Sequence, residues 1–577
     1  MKVINKKRLF SAKSMPTILL FFLLVRSAAG GPPPGAKRGR WQTLLNNTGV
    51  VAMHTALTHR NTVMIFDQTR AGRSGYPLRR SHYDGSRCVP SSWNPSVDSS
   101  CWAHSVEYDI EGNTIRALNL ETDTWCSSGT FLSNGTLLQT GGHGHGYRRI
   151  RYFDPCTDHR CDWRSPEALL LADNRWYASN QILPEKDRVI IVGGRRVFTY
   201  EFLPKLLSSS SSSRERSFYL SLLRQTNNRK EEGNNLYPFL HLSSDGNLFI
   251  FANRDSILLD YWRNKVVKTF PRMPGGGSRN YPSSGSSVLI PLDHTDGFQK
   301  VEVMVCGGAT TGAYTAAKRK TYLKGLSSCG RIVITEQKPR WEMEEMPGPR
   351  LLHDILILPT GNILIINGAT HGCAGWNNAA NPSLEPYLYK PNKSLGRRFS
   401  VLKSTKVARL YHSSAILLPD GRVLVAGSNP HARYTFKDVK FPTELRLQAF
   451  IPYYMDQYFD GRRPNNLSIH YSNGGYGARY REEFTIKFRL DLQREPDKDS
   501  IKFSAYSPPF TTHGVSMNQR MLRLKCKSIV REDGGWMRAV VEAPPSPNVA
   551  PSGYYLLTVI NGGIPSIAQW VRFMQEN

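Results

Sequence analysis

A repeat constrains this chain more than any other feature. An apolar run, a polar turn and a second apolar run recur seven times. The instances are MHTALTHRNTVMIFD, GTFLSNGTLLQTGG, NQILPEKDRVIIVGG, FLHLSSDGNLFIFA, SSVLIPL with VEVMVCGG, LLHDILILPTGNILIING and SSAILLPDGRVLVAG. Asp-Gly or Asn-Gly between such runs signals a hairpin, because the tight turn needs residues that tolerate positive φ. The turns fall roughly every 50 to 75 residues, a kelch-like spacing. Several second strands end in Gly-Gly or Asn-Gly, where backbones can crowd. Seven such units predict an all-β fold, a seven-bladed kelch-like β-propeller over residues 41–448. The competing architecture is an array of β-sandwiches. Shorter runs between hairpins, RIRYFDP and SILLDYW, supply further strands. The polar, serine-rich run at 208–235 breaks the pattern and reads as a mobile surface insertion between blades.

Beyond residue 448 the repeat stops. IPYYMDQYFDGRRPN punctuates the boundary, and EEFTIKFRL, SIKFSAYSP, MLRLKC, MRAVVEAP and YYLLTVI follow at sandwich spacing. Residues 449–577 are therefore expected to form a C-terminal immunoglobulin-like β-sandwich. At the other end, a basic segment, an apolar run at 17–25 and the small residues Ser27-Ala28-Ala29 read as a signal peptide over 1–29. An uncleaved anchor is the alternative. The Pro/Gly-rich segment 30–40 reads as a linker. The expectation is a secreted protein, with no membrane attachment after cleavage.

Secretion means an oxidising compartment, in which cysteines pair. The chain has nine cysteines, so at least one lacks an intramolecular disulfide partner. Proximity suggests Cys88 with Cys101, Cys156 with Cys161 and Cys306 with Cys329. Sequons at Asn46, Asn134, Asn392 and Asn466 are compatible with glycosylation, Asn134 least so because it sits in a turn. The formal net charge of +29 suits an acidic polysaccharide partner in this setting, or simply a solvated basic surface. No nucleic-acid motif accompanies it.

Four stretches could carry chemistry: Trp125-Cys126-Ser127-Ser128-Gly129, Asn174-Arg175-Trp176-Tyr177, Arg409-Leu410-Tyr411-His412 and Thr512-His513-Gly514. The first three open hairpins, and corresponding points of propeller blades converge near the axis. Two tyrosines and two histidines are a plausible Cu(II) donor set. Successive strand residues face opposite ways, so Tyr411 and His412 reach one metal only if the strand starts irregularly. No CxxC or HExxH zinc spacing and no GxGxxG fingerprint occurs. His143 and His145 in GGHGHG read as a polar loop rather than a second metal pair.

CSSGTFLSNGTLLQTGG, NRWY, RLYHSSAILLPDGRVLVAGSNP and THGVSMNQR together resemble the copper radical oxidases. The similarity is strongest to the plant secreted glyoxal oxidases and weaker to galactose oxidase, and it spans residues 41–577. The resemblance implies a propeller carrying one copper ion and a C-terminal domain supplying one histidine. It implies a thioether between Cys126 and Tyr177, with Tyr177 a metal ligand and radical carrier. It gives Tyr411 as the axial tyrosine and proton acceptor, and His412 and His513 as the other ligands. Eight cysteines would remain for four disulfides.

The chemistry so implied is oxidation of a small aldehyde such as glyoxal or methylglyoxal to a carboxylic acid, with O2 reduced to H2O2. A monomer in the extracellular cell-wall space is expected. A galactose oxidase-type alcohol oxidase is the alternative enzyme, and a non-catalytic polysaccharide-binding propeller the alternative from another class. Three departures from the family bear on substrate choice. The stretch HGHGYRRIR is more basic and would favour anionic or strongly polar substrates if it lined the pocket mouth. Ala178 stands where relatives often have proline, and the Ser-rich run has no counterpart.

Overall fold

The computed structural model describes residues 38–78, 102–205, 217–472, 474–490 and 500–575. All seven hairpins form, and each opens its own antiparallel sheet. The first strands are His54–Leu57, Ser128–Phe131, Ser179–Ile182, Phe239–Leu242, Ser286–Leu289, Asp354–Ile357 and Ser413–Leu417. Burial falls from the first strand of a sheet to the last. Val189–Val192 and Ile363–Ile366 are buried at every residue, whereas Lys265–Thr269 and Glu342–Glu345 are largely exposed. This gradient explains why the hairpins are apolar on both faces and the outer strands are not. First strands also pack on one another. Ser128–Phe131 touches Ser179–Ile182, which touches Phe239–Leu242; Ser286–Leu289 touches Asp354–Ile357, then Ser413–Leu417, then His54–Leu57.

The seventh sheet is completed from the other end of the described chain. Arg40–Leu45 pairs antiparallel with Leu447–Ile451. The expected limits at 40/41 and 448/449 therefore fall inside one pair of strands. The Ser-rich run also needs correcting. Phe218–Tyr219 is the outermost strand of the third sheet, paired with Thr199–Leu203. The helix Ser221–Gln225 buries Leu222 and Leu223 in the core shared with Leu240 and Ile250. Residues 217–235 thus complete a sheet instead of interrupting two. Their apolar side chains, sparse among polar ones, are enough to dock them. The serine run itself lies in 206–216, outside the described residues.

The C-terminal region has two facing sheets. One contains Asn465–Tyr471, Glu483–Arg489, Trp536–Glu542 and Cys526–Arg531; the other is built on Ile501–Ser507, Arg520–Leu524, Gly553–Asn561 and Gln569–Met574. Phe484, Ile486 and Phe488 from the first meet Phe503, Leu557, Val559 and Phe573 from the second in one core. One hairpin leaves this region. Phe510–Thr512 pairs with His54–Leu57, adding two strands to the inner edge of the first sheet. The added pairing satisfies backbone groups that would otherwise be buried alone.

Disulfides join Cys156 to Cys161 and Cys306 to Cys329. Cys88 and Cys101 lie outside the described residues. Cys373, buried, and Cys526 are free, so the expected set of four disulfides does not form. Asn46, Asn134, Asn392 and Asn466 are all exposed. No helix among the described residues is long and apolar enough to cross a membrane.

Candidate metal centre

The starts of the first strands are bent in the same way. Cys126, Tyr177, Tyr237, Ser284, Leu352 and His412 all have φ between 49° and 66°, and each lies one or two residues before its strand. A left-handed non-glycine residue costs about 1–3 kcal/mol. Buried arginines help hold four of these turns. Arg175, Arg279, Arg350 and Arg409 each donate from Nη1 to a carbonyl at or one residue past the end of the second strand of their own sheet: Gly193, Gly307, Asn367 and Gly427, at 2.8, 2.7, 2.9 and 2.7 Å. A charged donor to a buried carbonyl contributes about 1.5–3 kcal/mol. Two residues after these arginines come Tyr177, Tyr281, Leu352 and Tyr411.

Three of those four side chains are phenols, and they meet. The Tyr177 hydroxyl lies 3.0 Å from that of Tyr281, which lies 2.8 Å from that of Tyr411. The left-handed φ of 63° at His412 answers how consecutive residues serve one site. It breaks the alternation of the strand, and the Tyr411 and His412 rings stack at 3.9 Å. The added hairpin brings His513 at its turn, with φ 51°. Gly514 behind it has φ 77°, and a Cβ there would sit 2.5 Å from the His353 carbonyl oxygen, so a side chain would push the turn away. The His412 and His513 rings are 5.0 Å apart and nearly perpendicular.

The hydrogen bonds aim His513. The Thr512 hydroxyl donates to the Met53 carbonyl at 3.0 Å, so at 2.7 Å it accepts from His513 Nδ1. Nε2 is then the lone-pair nitrogen, and it faces the Cys126 thiol at 3.3 Å. Both His412 ring nitrogens are buried with no hydrogen-bond partner in the protein. Burial holds both imidazoles well below the ordinary histidine pKa, hence neutral. Burial raises the Tyr177, Tyr281 and Tyr411 phenols and the Cys126 thiol well above theirs. Orphaned, neutral nitrogens facing phenols that resist ionisation fit a cation, whose charge would reverse the cost of phenolate. Cys126, His412 and His513 are the one His/Cys/Asp/Glu cluster of metal-holding geometry among the described residues.

Cys126 and Tyr177 are neighbours by backbone as well: the Tyr177 amide donates to the Cys126 carbonyl at 3.0 Å. Thus Cys126, Tyr177, Tyr411, His412 and His513 all come together. Tyr281 and Tyr237 were not read from the sequence. Tyr237 donates to the Ser127 carbonyl at 3.0 Å and packs 5.3 Å from the His513 ring. The signal for Tyr281 was present: Arg-x-Tyr occurs at 175–177, 279–281 and 409–411. His143 lies outside the cluster, between Trp125 and Trp176, and His145 is exposed. The basic stretch is partly spent on structure. Arg151 is fully buried, donating to Gln139 Oε1 and the Gly141 carbonyl, and Arg148 donates to the Leu171 carbonyl.

Fold and site define a class: an all-β protein whose buried centre brings together two imidazoles, a thiol and three tyrosine hydroxyls, a set that could hold a metal ion. Comparison with known proteins narrows it. Residues 53–454 match the family described as Glyoxal oxidase N-terminus, and residues 463–573 match the Galactose oxidase-like, Early set domain. The chain belongs to the glyoxal oxidase family. It is 42% identical over 537 residues to Aldehyde oxidase GLOX of Vitis pseudoreticulata, covering 93% of this chain and 97% of that one. It is likewise 42% identical to Aldehyde oxidase GLOX1 of Arabidopsis thaliana, covering 93% and 85%. A solved fungal alcohol oxidase of the AA5 family, in complex with copper, shares the fold, with a TM-score of 0.65 at 17% identity over 93% of this chain and 99% of that one.

Proposed function

We propose that this protein is a secreted copper-dependent oxidase that converts small aldehydes, as their hydrates, to carboxylic acids and reduces O2 to H2O2. The balance is RCH(OH)2 + O2 → RCOOH + H2O2. The observation that carries this reading is the meeting of two lone-pair imidazoles with three hydrogen-bonded phenols in one buried pocket. The family and the aldehyde oxidases among its relatives support the substrate class. The seven successive sheets, with first strands packed on one another, are read as the blades of a propeller, and the two C-terminal sheets as its following sandwich.

In this reading His412, His513, Tyr177 and Tyr411 would hold the copper. The bound ion would supply a one-electron couple and an open position at which a substrate hydroxyl is acidified. Tyr411 would accept the substrate hydroxyl proton, and the Tyr281 hydroxyl, 2.8 Å away, would donate to the Tyr411 oxygen when that oxygen is a phenolate. Tyr177 would take the hydrogen atom from the substrate carbon, and a thioether formed with the free Cys126 thiol would make its ring easier to oxidise. The strained turns at Cys126, Tyr177, His412 and His513 place these atoms before substrate arrives. Removal of two electrons needs two one-electron sites, and Tyr177 would be the one the chain itself supplies. The +29 charge suits retention on acidic polysaccharide outside the cell.

Peroxide release by the copper-loaded, full-length protein, assayed with methylglyoxal, glyoxal, glycerol and galactose, tests the proposal. The aldehydes are expected to turn over faster than the alcohols by about tenfold or more. Preference for galactose would replace the substrate class with an alcohol. No peroxide from any of them, with copper bound, would overturn the enzyme reading in favour of a polysaccharide-binding protein.

A further inference from the structure

A file of aromatic rings runs from Tyr177 to the surface. Trp176 lies 4.8 Å from Tyr177 and Trp125 lies 4.9 Å from Trp176. Trp376 stacks on Trp125 at 5.0 Å with an interplanar angle of only 9°. Trp176 and Tyr177 are buried, Trp125 is half-buried and Trp376 is 39% exposed. The file is assembled from distant segments. Trp376 lies between the short strands Ala369–Gly372 and Ala379–Pro382, while Trp125 and Trp176 open two different sheets. None of these tryptophans is needed to hold the metal.

We infer that Trp376, Trp125 and Trp176 form an electron relay through which an outer-sphere one-electron oxidant at the surface oxidises Tyr177. This rests on Tyr177 being the redox-active ring of the proposed oxidase. Tryptophan and tyrosine are the side chains most easily oxidised by one electron without changing their covalent structure, and neighbouring rings in contact exchange that electron rapidly. The indole N–H groups of Trp125 and Trp176 are buried without a hydrogen-bond acceptor. An indole donates only, so the oxidised rings have no ready route for losing the proton and pass the vacancy on instead of trapping it. The parallel Trp125–Trp376 pair shares a positive charge over two rings at the outer end. The Arg195 guanidinium, 4.9 Å from the Trp176 ring and paired with Glu232, makes a charge on Trp176 costly, so that ring is a step and not a resting place. Tyr177, held as phenolate in the loaded protein, loses one electron and becomes a neutral phenoxyl. The electron leaves through Trp376 and the oxidant is reduced by one; no proton moves. A surface port lets an oxidant too large for the pocket set the enzyme's oxidation state.

Stopped-flow mixing of the copper-loaded, full-length protein with hexacyanoferrate(III) tests this, the oxidant's own absorbance counting electrons withdrawn. The phase absent from Tyr177→Phe is the Tyr177 phase. Trp376→Phe, at an exposed position that keeps ring shape, is expected to slow that phase about tenfold or more, and Trp125→Phe similarly. Trp376→Tyr, which restores an oxidisable ring, is expected to recover much of the rate. A Tyr177 phase unchanged in Trp376→Phe would overturn the relay and leave the oxidase reading standing. If Tyr177→Phe loses none of the phases of the unaltered protein, both the relay and the redox role of Tyr177 are overturned.

Discussion

The sixth and seventh sheets begin almost identically, with Arg350-Leu351-Leu352-His353 and Arg409-Leu410-Tyr411-His412. Each arginine is buried and donates to a carbonyl at or one residue past the end of its second strand. Each segment has a left-handed residue, Leu352 at φ 58° and His412 at φ 63°. Each histidine is buried with both ring nitrogens unpartnered. Yet only the seventh contributes to the metal-holding cluster. Two small differences separate them: leucine against tyrosine at the second position after arginine, and a left-handed turn placed one residue later. The fold supplies the same strained strand start repeatedly, and chemistry appears where the side chain and the position of the turn both suit it.

The largest expected effect separates the two positions at once. Tyr411→Phe should lower aldehyde turnover by about 10²–10⁴-fold with the fold retained, since it would remove the proposed base but not the ring. Leu352→Met should cost under about 1.5 kcal/mol of stability and leave turnover per folded molecule unchanged. Peroxide assays beside denaturant midpoints check both. The histidines divide in the same way. His412→Gln should reduce copper bound per chain, measured by metal analysis after dialysis, while His353→Gln should retain it. Equal loss in both would mean that the sixth sheet also reaches the metal.

The arginines should not divide. Arg409→Met removes bonds to the carbonyls of Gly427 and Arg446 and to Gln448 Oε1; Arg350→Met removes bonds to the carbonyls of Asn367 and Glu385. Each variant should lose roughly 3 kcal/mol, because buried carbonyls are left without donors. A loss confined to Arg409 would mean that the shared motif is not a shared structural device.

The smallest effect is the pH dependence of the copper-free chain. Burial lowers His54 and His241 to about 3 and His104 to about 4, from 6.5. The unfolded chain then binds more protons, so this stability is present above pH 6.5 and is lost as pH falls toward 4. Burial raises Asp67 to about 7 and Asp354 to about 8. Their contribution runs the other way, present below their unfolded pKa and lost as pH rises through 7 and 8. Stability should therefore peak near pH 6.5, a value checked by denaturant midpoints across pH.

The sequence was informative wherever function depended on local pattern. Paired apolar runs around polar turns marked every hairpin, three of them with Asp-Gly or Asn-Gly, and the irregular strand start at Tyr411-His412 followed from requiring both to reach one point. It was silent where non-local pairing decided. Nothing in FTTHGVSM shows that its strands pair with His54–Leu57. Phe218, Leu222 and Leu223 were lost in a polar run because docking needs only a few apolar contacts. Tyr281 was missed although its Arg-x-Tyr setting repeats that of Tyr177 and Tyr411. That repeat has meaning only once the arginines are seen gripping strand ends.

The most direct test of the centre as a whole is peptide mass spectrometry on the full-length protein after copper loading in air. Cys126 and Tyr177 should appear in one linked species that survives thiol reduction and weighs two hydrogens less than the separate peptides, O2 having taken those two hydrogens. Free Cys126 and Tyr177 peptides from protein with copper bound would contradict a linked radical carrier, and with it the proposed two-electron oxidation.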